Sequence, residues 1–160
     1  MDLGTTIIVV IIVALLMVPF VLDHFRRKRN GAGLAGRMHQ AAHQQQSRLK
    51  YSDVHPPIAI GLDGDRGMLF FFTERIGDGE DRILDLATFR DVELVKSGAG
   101  GRSVTGDERM TRIMLKLTPK EPRAAEVHLV FYEERPGELL GDELQLAAKW
   151  ALRLNKYIRK

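Results

Sequence analysis

No cysteine occurs anywhere in the 160 residues. That excludes thiol catalysis, Cys-ligated zinc and iron–sulfur clusters, while leaving the compartment open, because many extracytoplasmic proteins also lack cysteine. No charged residue falls between Leu3 and Leu22 (LGTTIIVVIIVALLMVPFVL), and a core helix of a globular domain would show a polar stripe that this stretch does not have. No acid lies between Asp23 and Asp53, which removes carboxylate partners from any metal set built on the histidines of that region. A nucleophile elbow is also missing, since Ser52, Ser97 and Ser103 stand in turn-like surroundings without the required flanking glycines.

What is there at the N-terminus is a membrane span. Twenty apolar residues at ~1.5 Å each reach about 30 Å, the thickness of the hydrocarbon layer, and Pro19 sits near the end, where a freed carbonyl is easiest to satisfy. A cleaved signal peptide would need a basic n-region before the run and small residues after it; the chain instead opens Met1-Asp2 and continues Asp23-His24-Phe25 into a basic tetrad. That tetrad, Arg26, Arg27, Lys28 and Arg29, predicts a single-pass protein of the cell membrane with its N-terminus outside and its C-terminal domain cytoplasmic. The same four residues are expected to contact anionic lipid headgroups.

The net charge of +3 divides unevenly: Met1 to Lys50 carries +5, leaving −2 for the rest. A basic juxtamembrane segment on a slightly acidic domain suits a bilayer surface and argues against nucleic acid as the domain's partner. Residues 23–50 read as a basic juxtamembrane linker, Gly-rich and flexible first and helical from about Arg37. Gly31 to Gly36 spells G-x-G-x-x-G, but it follows a membrane span rather than a strand, so a hinge is the better account than a dinucleotide site. His39 and His43 stand i, i+4, a spacing that presents two ligands on one helix face; no third or fourth ligand stands at a suitable spacing, and solvated side chains explain them.

From Tyr51 the pattern changes to short alternating segments, giving a soluble domain over 51–160. Ile58 to Leu62 alternates, Asp63-Gly64-Asp65-Arg66-Gly67 reads as a hairpin turn, and Met68 to Glu74 returns. Further strands are predicted at Asp81 to Leu86, Asp91 to Lys96, the stretch around Ile113, Leu115 and Leu117, and Glu126 to Tyr132 with His128 and Tyr132 outward, in a sheet with one wet face. A closing helix from about Gly137 to Ile158 carries Leu140, Leu144, Ala147, Ala151, Leu154 and Ile158 on one stripe widened by Trp150, with Lys149, Arg153, Lys156 and Arg159 on the opposite flank. The fold class is therefore α+β: a single transmembrane helix, then a small antiparallel sheet or barrel capped by a C-terminal amphipathic helix.

The segment Ile58 to Phe72 with its D-G-D-R-G turn, the stretch I-L-D-L-A-T-F-R-D-V-E-L-V from Ile83 to Val95, and the terminal helix together resemble bacterial pleckstrin-homology-like (PH-like) domains tethered to a membrane helix. The resemblance covers about 110 residues and implies a binding or scaffolding module. Phosphoinositide-binding members of that group place several Lys/Arg around the first hairpin, whereas this turn is acidic with Arg66 alone.

No catalytic pair, metal set or cofactor signature is visible, so the expected function is non-enzymatic and without cofactor. The domain is expected to bind or scaffold a protein partner, as an accessory subunit of a membrane complex, through an exposed sheet face or through the long polar loop Ser97 to Arg109, with Gly98, Arg102 and Arg109 as its contact residues. The alternatives are a peripheral lipid-sensing module and a small enzyme without recognisable motif.

Overall fold

The computed structural model describes residues 32–74, 81–98, 110–134 and 140–159. Among them are seven antiparallel strands in two sheets. The first sheet has the order β1 (Tyr51–His55), β2 (Ile58–Asp63), β3 (Met68–Thr73), β4 (Arg82–Asp85); the second has β5 (Phe89–Gly98), β6 (Met110–Pro119), β7 (Val127–Glu133). A 3-10 turn at Leu86–Thr88 joins the sheets, and a closing helix, α2, spans Glu143–Ile158. A further helix over residues 32–44 (α1) precedes the strands.

One core lies between the sheets and α2. Ile58, Ile60 and Leu62 of β2, Leu69 and Phe71 of β3, and Ile113, Leu115 and Leu117 of β6 meet Ala147, Trp150 and Leu154 of α2. The alternation that predicts these strands is thus the alternation that fills the core. Phe71 and Phe131 cross it from opposite sheets with ring centres 5.6 Å apart. Asn155 fastens the helix to the second sheet, accepting from the Val92 N–H at 3.0 Å and donating back to the Val92 carbonyl. This side chain occupies backbone groups on the outer edge of β5.

Four expectations need correction. The flexible start expected for the linker is not found over 32–36, which is already helical. Leu34, Met38 and Ala42, four residues apart, are buried against Ala59, Phe70 and Phe72 on the outer face of the first sheet. Two glycines in the first turns make an isolated helix unfavourable, so its stability comes from this apolar stripe rather than from propensity. The second correction follows from the first: β2 and β3 are covered on both faces, not wet on one, and the unbroken run Leu69-Phe70-Phe71-Phe72 is the composition of such a strand.

Third, Tyr132 points inward. The register passes from Met114 opposite Val130 to Ile113 opposite Tyr132, leaving Phe131 as the extra residue of a β-bulge, so both aromatic rings are buried. Fourth, α2 begins at Glu143 rather than near Gly137, and Leu140 lies outside it, exposed. Glu143 accepts from the Gly141 N–H at 2.7 Å, satisfying a donor at the helix start. The predicted span 3–22 lies outside the described residues, among which no helix is long and apolar enough to cross a membrane.

The seating of α1 is testable at Gly61. A Cβ there would meet Met38 Sδ at 3.0 Å and the Leu49 methyl groups at 3.2 Å. Gly61→Val is expected to cost about 1–3 kcal/mol by overpacking, with amide exchange accelerated in 32–44 and unchanged in β5 to β7. Protection of α1 equal to the parent's would refute this packing.

Candidate cationic groove

The groove grows out of Trp150. Its indole is fully buried in the core, and only its N–H reaches outward, donating to Asp53 Oδ2 on β1 at 2.9 Å. Asp53 also accepts from Lys149 Nζ at 2.9 Å on both oxygens and lies 3.8 Å from Arg153 Nη1. The guanidinium of Arg153 is stacked between two rings, 4.3 Å from the centre of Tyr51 and 4.9 Å from that of Trp150, an arrangement in which the ring faces attract the cation. One carboxylate therefore orients two cations from successive turns of α2.

Between this helix face and the first hairpin lies a half-open groove of about 470 Å³. Lys50, Tyr51, Leu62 and Gly64 form one side, and Lys149, Leu152, Arg153, Lys156 and Tyr157 the other. Lys50 is held in place by its N–H, which donates at 2.9 Å to the carbonyl of Leu62, the residue opposite Tyr51. Its ammonium sits 5.9 Å from the centre of the Tyr51 ring. On the helix, Lys149, Leu152, Arg153 and Lys156 follow at i, i+3, i+4 and i+7, which aligns them along one face. Leu152 is 75% exposed there. Gly67 forms the close approach at the hairpin end: its φ is +73° and a Cβ would lie 2.8 Å from the Tyr157 hydroxyl, so a side chain would force the tyrosine away.

The turn beneath is organised by Asp63, only 2% exposed. Its Oδ1 accepts from the N–H groups of Asp65 and Arg66 at 3.0 and 3.1 Å, and its Oδ2 from that of Arg48 at 3.0 Å. Burial by itself raises the pKa of this carboxyl, but the donors from Arg66, Asp65 and Arg48 outweigh it and hold the group below its ordinary 3.8. Asp63 thereby ties the segment after α1 to the β2–β3 turn, and Lys50 leaves that segment into the groove.

Of the residues singled out beforehand, Arg26, Arg27, Lys28, Arg29, Arg102 and Arg109 lie outside the described residues. Gly98 ends β5 opposite Met110. His39 and His43 are exposed on α1, and no group of three or more His, Asp or Glu able to hold a metal ion is found among the described residues. The groove residues were not anticipated as a site. In sequence Lys149, Arg153 and Lys156 stand only as the flank opposite the apolar stripe, and the available signal is a leucine set among them at helical spacing.

Fold and groove together define an α+β domain of two antiparallel sheets with a cationic cleft beside its C-terminal helix. No family model, no curated protein and no solved structure matches the chain.

Proposed function

We propose that the chain is a single-pass membrane protein whose cytoplasmic domain is a non-enzymatic module that holds a protein partner near the bilayer, as an accessory subunit of a membrane complex. The observation that carries this reading is the groove between α2 and the first hairpin, which combines cations, tyrosine rings and an exposed leucine on a rigid frame. Partner sites are built in this way, with aromatic and apolar anchors inside a charged rim. Two antiparallel sheets of four and three strands followed by a helix support the PH-like reading of the domain. With the span at 3–22, only the nine residues 23–31 separate it in sequence from the described part of α1. So short a separation in sequence would keep the groove at high local concentration relative to other proteins of the same membrane.

A second reading has its own support. Leu152 at 75% exposure, flanked by Lys149, Arg153 and Lys156, is also the pattern of a helix face resting on an anionic bilayer.

A photo-crosslinking residue in place of Leu152, in the full-length protein in its native membrane, separates the two. A discrete protein adduct at that position, and none with the crosslinker in place of His128 on the outer face of β7, is the expected result. Lipid adducts alone at Leu152 would replace the partner reading with the bilayer one, and no adduct of either kind would remove both.

A further inference from the structure

We infer that the occupant of the groove is an acidic, extended segment of a partner protein, an assignment that rests on the partner reading above. Charge is the first argument. The chain from Tyr51 onward is net −2, yet Lys149, Arg153 and Lys156 gather on one face of α2 opposite Lys50. Asp53 is the carboxylate that engages Lys149 and Arg153. Lys50 and Lys156 have no carboxylate within ion-pair distance among the described residues. A domain of one sign that concentrates the other sign in a cleft attracts ligands carrying its own overall sign only at that cleft.

The frame is preorganised for such a ligand. Arg153 is already fixed by two rings and by Asp53, so little side-chain freedom remains to be lost when it is approached. Lys50 and Lys156 stand on opposite sides of the cleft, so an acidic extended chain lying along it passes between two cations. The apolar members, Leu152, Tyr51 and Tyr157, suit a segment with an apolar residue between its acids.

Shape and backbone distinguish a peptide from other anions. Tyr51, which lines the groove, begins β1, the outermost strand of its sheet, and among the described residues β1 is paired only with β2. Its outer backbone groups can receive an added strand, the common mode by which sheets take up extended peptides. A small inorganic anion would be better served by buried donors converging on one point, whereas Lys50 and Lys156 are both exposed. A bilayer is planar, so it would touch the rim at Leu152 and leave Tyr157 inside the cleft uncontacted.

The test uses the full-length protein in phosphatidylcholine nanodiscs and two fluorescein-labelled peptides. One alternates Glu and Thr around a central Leu; the other carries Gln for every Glu. Fluorescence anisotropy should show the Glu peptide binding at least about tenfold more tightly, and Lys50→Glu combined with Lys156→Glu should abolish the difference while leaving the circular dichroism spectrum and melting temperature unchanged. Equal binding of the two peptides, or Glu-peptide affinity indifferent to the double substitution, overturns the inference. So does a dye at Leu152→Cys that shifts on phosphatidylserine nanodiscs and is not displaced by the Glu peptide, because the occupant is then the bilayer. A protein adduct at Leu152 alongside failed peptide binding would sink the acidic occupant alone, whereas loss of both would sink the partner reading with it.

Discussion

Replacing Trp150 with alanine should destabilise the domain by about 3–5 kcal/mol, a large share of the roughly 5–15 kcal/mol that holds a domain of this size together. The indole is fully buried where α2 meets both sheets, among Ile60, Leu115 and Phe131 of the common core. Its removal leaves a cavity that the two sheets cannot close without giving up their own contacts. It also deprives Asp53 of the 2.9 Å bond from the indole N–H, and with it the fixed point that aligns Lys149 and Arg153. Trp150→Phe lessens the cavity but does not abolish it, because it keeps one six-membered ring in the core while losing the N–H donor and the rest of the indole, at an expected cost of about 1–3 kcal/mol. Trp150 is the only tryptophan of the chain, so urea curves followed by far-UV circular dichroism rather than intrinsic fluorescence are the suitable measurement. An alanine variant within about 1 kcal/mol of the parent would contradict the placement of this side chain in the core.

That joint between core and groove explains which parts of the molecule were legible beforehand. Ile58 to Leu62, Ile113 to Leu117 and Val127 to Phe131 carry apolar residues at period two, and each is a strand because one face of each must be hidden. The stripe of Ala147, Ala151 and Leu154 shows the helix for the same reason. By contrast, Tyr51 to His55 has no such alternation; it is a strand because β2 offers it a backbone edge and α2 gives Asp53 and Tyr51 partners about a hundred residues away. Local pattern contains no trace of that distance.

Two further features escaped because local preference and tertiary packing disagree. In 32–44 the glycines argue for a tether, while Leu34, Met38 and Ala42 argue for a stripe too sparse to persuade alone; Phe70 and Phe72, which need cover on the outer face of the first sheet, decide between them. The bulge at Phe131 inverts the side to which Tyr132 points, and a strict period of two cannot announce its own interruption. The groove combines both difficulties. Its helical half was readable as a basic stripe, but the Tyr51 ring and the Lys50 ammonium reach it only through the register that puts Tyr51 opposite Leu62.

Asp63 should prove nearly as costly to remove as Trp150, for a different reason. Asp63→Ala strips three backbone N–H groups of their shared acceptor, a buried carboxylate under an exposed turn, and about 2–4 kcal/mol is expected, since a hydrogen bond to a charged group contributes about 1.5–3 kcal/mol. Asp63→Asn is nearly isosteric and still unsuitable. Whichever way its amide is turned, an NH2 faces either the Arg48 N–H or the N–H pair of Asp65 and Arg66, so a cost of about 1–3 kcal/mol remains. The damage should spread toward the groove, because the segment that Asp63 ties down at Arg48 leads directly to Lys50. Faster amide exchange across 45–50 would show it. The pH dependence fixes the sign independently. The native carboxyl is held below 3.8, so it contributes stability above that value and loses the contribution as pH falls through its lowered native pKa. The gap between parent and Asp63→Asn, measured by urea denaturation, should therefore be full near neutrality and shrink as the pH is taken below 3.8. A gap that stays constant into strong acid would mean that the charge of Asp63 does not organise the turn.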